Sequence, residues 1–125
     1  MKYLCMAYEE ERELTQLTER EWHALRQETL EYVEALRATG RLLDARPLKS
    51  ATTASTVRVR DGRLSVTDGP FAETKEQLGG YFLIEADDLD EAIRIAARWP
   101  SARFGIIEVR PVEEELRSEG RYAVG

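Results

Sequence analysis

The chain has 125 residues, the size of one domain, and 42% of them are hydrophobic while 34% are charged. That mixture is too apolar for a disordered chain and too charged for a membrane-embedded one, and no apolar stretch approaches the roughly 20 residues of a transmembrane helix. The net charge of −6, with arginines interleaved among acids, leaves no basic stripe for a phosphate backbone, so direct nucleic-acid binding is not expected.

Residues 2–8, KYLCMAY, form a short apolar run that predicts a buried strand. It is too short for the apolar core of a secretory signal, and no small-residue cleavage site follows. The single cysteine, Cys5, lies within it. It excludes an intramolecular disulfide, fits a reducing cytosol and reads as a small core residue. A cytoplasmic protein is expected. Residues 9–17 are acidic and polar and read as a loop.

Thr18 followed by Glu21 is a capping box, and Leu17 is placed to staple onto Trp22. Trp22, Leu25, Thr29, Tyr32, Val33 and Leu36 then fall on one helical face, with Glu28, Glu31 and Glu34 opposite. Gly40 supplies a C-cap, so a helix is predicted over 18–39. Residues 41–48 read as a strand ending near Pro47, and 49–55 as a small polar loop. Val57 and Val59 alternate with Arg58 and Arg60, Asp61-Gly62 makes a two-residue turn, and Leu64 and Val66 alternate back. This is a type I′ hairpin pattern.

Residues 68–80 are a loop rich in turn residues, and 81–86, YFLIEA, a central strand. Asp88 and Glu91 cap a second helix whose face is Leu89, Ala92, Ile93, Ala96 and Trp99 and which Pro100 ends. Residues 104–110 are the last strand. Residues 1–112 thus form one domain, and 113–125 a polar C-terminal tail.

Without the hairpin, the order is the split βαβ arrangement of a ferredoxin-like α+β fold. Two helices cover one face of such a sheet. The other face stays apolar, and the simplest cover is a second copy, so a homodimer is expected.

The segment DGPFAETKEQLGGYFLIEADDLDEA from Asp68, the closing strand RFGIIEVRPV and the hairpin VRVRDGRLSVTDGPF resemble the YCII-related proteins of the DGPF subfamily over nearly the whole chain. The resemblance implies a dimeric α+β barrel whose biochemical role is largely uncharacterised. It also implies bacterial genes beside, or fused to, extracytoplasmic-function sigma factors. Wider relatives include an enzyme that removes chloride from a chlorinated muconolactone. Some shorter members carry a proposed His–Asp pair. The only histidine here, His23, stands in the first helix, several residues ahead of the short members' histidine.

Asp68 opens a sharp Asp-Gly-Pro turn. It is either an acid/base carboxylate at a cleft mouth or a turn residue bonding nearby backbone. Gly69, Pro70 and Phe71 of the same turn are ligand-binding candidates. Lys75 would neutralise an anionic ligand or pair with Asp68, or belongs, with Glu73 and Glu76, to a solvated run. Gly79 and Gly80 match no phosphate-loop motif and suit a bulge or close backbone approach. Glu108 and Arg110 share a face with Ile106. They either bind a polar ligand or pair with one another at the dimer interface. Glu85 is a further charge within an apolar strand. His23 is either a proton shuttle or a surface residue. Arg58, Arg60 and Arg63 either touch an acidic partner or protect an edge.

One histidine and one cysteine make no zinc site, and neither a cofactor motif nor a nucleophile motif occurs. Three functions remain: a ligand-binding regulatory dimer working with a sigma factor, a small lyase or isomerase using Asp68, and a structural dimer presenting its hairpin.

Overall fold

The computed structural model describes residues 1–114. The tail expected over 113–125 lies outside those residues from 115 onward. Six strands and three helices follow in the order β1 (Lys2–Glu9), α1 (Glu11–Thr15), α2 (Glu19–Ala38), β2 (Leu42–Pro47), β3 (Ser55–Arg60), β4 (Arg63–Asp68), β5 (Gln77–Glu85), α3 (Leu89–Ala97) and β6 (Ile106–Pro111). The strands β2-β5-β1-β6 make an antiparallel sheet in that order, and β3-β4 pair only with each other. This is the ferredoxin-like α+β fold. The sheet of one chain is open, with β2 and β6 at its edges.

Local chemistry explains the elements. Thr18 Oγ1 accepts from the Glu21 amide at 3.1 Å while the Glu21 carboxylate accepts from the Thr18 amide at 3.0 Å, completing the capping box of α2. Asp88 caps α3 by accepting from the Glu91 amide at 2.8 Å. At the hairpin tip Asp61 (φ 52°) and Gly62 (φ 75°) both take the left-handed conformation a type I′ turn requires.

Alternation along the strands sorts the sheet into two faces. Tyr3 and Cys5 stand opposite Ile84 and Phe82, and these four pack with Leu36 of α2 and with Ala92 and Ala96 of α3. Phe82 stacks on Trp99 at 4.0 Å and 10°, and Tyr32 meets Trp99 edge-on at 6.0 Å. The Tyr32 hydroxyl donates to the Ile95 carbonyl at 2.6 Å, tying α2 to α3. The reverse face presents Leu4, Met6 and Tyr8 of β1, Tyr81 and Leu83 of β5, and Ile106, Glu108 and Arg110 of β6.

Four sequence expectations change. Residues 9–17 contain the short helix α1, held because Glu11 accepts from the Ser50 hydroxyl and the Ala51 amide of the turn after β2. β5 begins at Gln77 rather than 81, because backbone pairing to β1 carries it through the glycines. In α3 the buried stripe is Ala92, Ala96 and the half-buried Ile95, whereas Leu89 and Ile93 are nearly half exposed. Trp22 is likewise exposed rather than part of the core face of α2. Among the described residues no helix is long and apolar enough to cross a membrane.

Candidate functional site

The loops that carry the DGPF segment gather at the end of the sheet where β1 leaves and β5 enters. Gly69 (φ 98°) takes a conformation that favours glycine; its amide donates to the Ala54 carbonyl at 2.7 Å, and its own carbonyl accepts from the Thr56 hydroxyl at 2.8 Å. The Gln77 amide group donates to the Ala72 and Thr74 carbonyls at 3.2 and 3.0 Å, drawing in the loop's second half. Lys75 lies 3.8 Å from the Glu10 carboxylate, so its ion-pair partner is Glu10 and not Asp68. Asp68 itself is exposed at the base of the hairpin, beside the half-buried Gly69 and Pro70. Phe71 is 82% exposed.

Glu108 and Arg110 stand elsewhere, on the reverse face of β6, paired with each other at 2.7 Å. The structure therefore gathers Asp68, Gly69, Pro70, Phe71 and Lys75 in one region but does not bring Glu108 and Arg110 to it. On the same reverse face Asp44 accepts from the Tyr81 hydroxyl at 3.4 Å, and its other oxygen lies 3.6 Å from Arg46. Glu85 accepts from the Met1 nitrogen at 3.0 Å. His23 is exposed on α2, 3.7 Å from Glu19.

Glu9, which is not among the sequence-derived site candidates, stands out among the carboxylates. It ends β1 just past a shift of register between Ala7 and Tyr8. Burial pushes its carboxyl above the ordinary 4.5; the nearby Ser101 hydroxyl works against that, and Glu11 adds a smaller push upward. The Ser101 side chain is itself buried. A Cβ on Gly105 would meet the Tyr8 carbonyl, a backbone atom, so that glycine admits this strand end, while a Cβ on Gly79 would lie 2.7 Å from a Glu9 carboxylate oxygen, the movable end of a side chain. The one signal in the sequence is that Glu9 directly follows an apolar strand, at the start of the acidic, polar stretch 9–17.

A carboxyl whose folded pKa exceeds its unfolded value is penalised when charged, so it costs stability above the folded value and nothing below 4.5. Glu9→Gln should therefore be relatively more stable than the parent at neutral pH, with the gap closing as pH falls into the 4.5 region. Urea titrations at several pH values measure this, and a gap independent of pH would count against the buried carboxyl.

An open ferredoxin-like sheet with helices on one side and a bare, partly aromatic face on the other is the protomer of the α+β barrel class. Within that class the chain belongs to the YCII-related domain family, whose model matches residues 1–116. An uncharacterised protein of Rhizobium meliloti strain 1021 is 46% identical over 83 residues, which is 65% of this chain and 64% of that relative's length. The chain thus matches somewhat under two thirds of that relative. Among solved structures, 5-chloro-2-hydroxyhydroquinone dehydrochlorinase (TftG) from Burkholderia phenoliruptrix AC1100, in complex with 2,5-dihydroxybenzoquinone, shares the fold. The TM-score is 0.55 at 16% identity, covering 92% of this chain and 96% of that one.

Proposed function

We propose that two copies pair through the reverse faces of their sheets and hold a small molecule between them, as a regulatory dimer acting with an extracytoplasmic-function sigma factor. The observation that carries the pairing and the ligand is the reverse face itself. Leu4, Met6, Tyr8, Tyr81, Leu83 and Ile106 form a continuous apolar and aromatic surface set among Arg46, Glu108 and Arg110. Apolar walls with a few convergent charges are the make-up of small-ligand sites. A flat hydroxylated or quinonoid ring suits it, since tyrosines offer stacking and arginines offer cationic donors. The sigma-factor role rests on the DGPF resemblance.

Sedimentation of the parent and of Leu83→Asp tests the pairing. A dimeric parent and a folded monomeric variant are expected; a parent monomeric at every concentration would end the proposal. A thermal shift on adding 2,5-dihydroxybenzoquinone, lost in Arg110→Ala, is the expected sign of the ligand site. Co-purification of a sigma factor with the tagged dimer tests the regulatory role, and its absence from pull-downs would leave that role without support.

A second reading, a small lyase or isomerase, is favoured by the raised carboxyl of Glu9 at the same end as Asp68 and by the dehydrochlorinase that shares the fold. Here Asp68 is the acid/base and Gly69, Pro70, Phe71 and Lys75 line the substrate. Asp68→Asn should abolish turnover with the fold intact, and an unchanged rate would remove Asp68 from that role.

A further inference from the structure

The β3–β4 hairpin is a ribbon with two unlike faces and no body beneath it. Its register sets Val57 opposite Val66 and Val59 opposite Leu64, so these four aliphatics share one face, while Arg58, Arg60 and Arg63 share the other. The four are 57–68% exposed. A two-stranded ribbon is marginal in water without something to pack on, and an aliphatic face of this extent signals a contact surface. Elsewhere on the same chain lies a groove of about 360 Å³ between α3 and β6, lined by Ile93, Ala96, Ala97, Ala102, Ile107 and Val109. Groove and ribbon are matched in chemistry along Val57, Val59, Leu64 and Val66, while the polar Ser55–Asp68 pair on the same face stands at the ribbon's base, farthest from its tip.

We infer that the hairpin is an arm that crosses to a second copy of this chain and lays its aliphatic face in that copy's α3–β6 groove. The inference rests on the face-to-face pairing proposed above. A two-fold axis running parallel to the strands between the two sheets sets the edge strand β2 of each copy opposite the edge strand β6 of the other. The hairpin follows β2 through the turn at residues 48–54, so the arm is reached from the strand that stands at the edge opposite the other copy's β6. The exchange is reciprocal, so it closes as a dimer and leaves no end for a fibre.

Area supports a second copy as the occupant. A four-stranded face, with strands about 4.8 Å apart and a rise of about 3.3 Å per residue, covers on the order of 400 Å². That is about half of the ~800 Å² per partner that stable interfaces bury. The ribbon covers roughly 200 Å² on the same spacings, and the groove that receives the other arm about as much again, which brings the contact to the usual size. The arginines remain on the outer face, in water, where they shield the arm's edges from further strand pairing.

Cross-linking tests the arm directly. Val59→Cys and Ala97→Cys are prepared as separate full-length proteins, mixed, and treated with a short bifunctional maleimide. The background is clean because Cys5 is fully buried and its thiol is pushed up to about 12 by burial. The mixture should give a covalent heterodimer, and neither protein alone should. In parallel, Leu64→Asp should raise the dimer dissociation constant by roughly a hundredfold or more, since the loss is felt in two arms. Its circular dichroism should be unchanged, because Leu64 touches no core. Cross-linking of Val59→Cys with itself would mean that the arms meet each other, and would overturn the groove assignment. No cross-link, with an unchanged constant for Leu64→Asp but monomers for Leu83→Asp, would overturn the arm while leaving the sheet pairing standing. A monomeric parent would instead remove the pairing and the arm with it.

Discussion

Phe82→Ala should cost about 3–5 kcal/mol of folding free energy, the loss expected when a fully buried aromatic is truncated in a core that cannot collapse around the void. Phe82 is completely buried in the central strand β5, between Cys5 of β1 and Ala45 of β2 in the register of the sheet. Both of those neighbours are small, so neither fills the space. Its ring stacks on Trp99 at 4.0 Å, and Trp99 in turn meets Tyr32 of α2. The sheet, the end of α3 and the middle of α2 therefore meet at one side chain. The midpoint of thermal unfolding should fall by roughly 10–20 °C in a domain of this size. Phe82→Leu keeps most of the volume and should cost about 1–2 kcal/mol. By contrast Phe71→Ala, at a ring 82% exposed, should stay within about 0.5 kcal/mol. Chemical denaturation of the three variants gives the comparison. A loss below about 1 kcal/mol for Phe82→Ala would mean that this stack is not the centre of the core.

Much of this architecture was legible because its signals are local. A capping box needs two residues three apart, and Thr18 and Glu21 form it as read. A type I′ turn needs residues tolerant of positive φ, and Asp61-Gly62 supplies them. The alternation that placed Glu108 and Arg110 with Ile106 needs only the strand period, and all three share the reverse face, where Arg110 donates to Glu108 at 2.7 Å. What was not legible depends on partners distant in the chain. Helix α1 exists because Glu11 finds Ser50 and Ala51, about 40 positions on. The stripe of α3 turned toward Ala92 and Ala96 because small residues let a short helix sit close on the sheet. Periodicity gives the stripe but not this rotation within it. Glu9 is the sharpest case. Its perturbation comes from burial beside Ser101 and from the room left by Gly79 and Gly105, none of which is near it in sequence. In the signature loop, the sequence left open whether Lys75 serves Asp68, and Glu10 takes it instead.

That crowding around Glu9 makes Gly105→Ala the second large prediction. The new methyl would press on the Tyr8 carbonyl oxygen, a backbone atom that no rotamer change can move aside, and on the Ser101 carbonyl at 3.2 Å. Tyr8 pairs with Ile106 across the β1–β6 ladder, while the Gly105 amide donates to the Ser101 carbonyl at 2.8 Å. Relief therefore requires either the edge strand or the turn that carries Ser101 to shift, at a cost of about 2–3 kcal/mol. Gly40→Ala provides the control. Gly40 has φ 77° with open space around its missing Cβ, so the same methyl there meets only the intrinsic left-handed penalty of about 1–2 kcal/mol. The two variants differ in a second observable. Only Gly105→Ala disturbs the strand end and the turn on either side of Glu9, where the Ser101 hydroxyl opposes the upward push of burial. Its Glu9 resonance, followed by carboxyl-carbon NMR, should therefore titrate differently from the parent, while that of Gly40→Ala should not. Identical Glu9 titrations in all three proteins, or equal stability losses in the two variants, would show that the strand end has room to spare and that the glycine is not what shapes this carboxylate's surroundings.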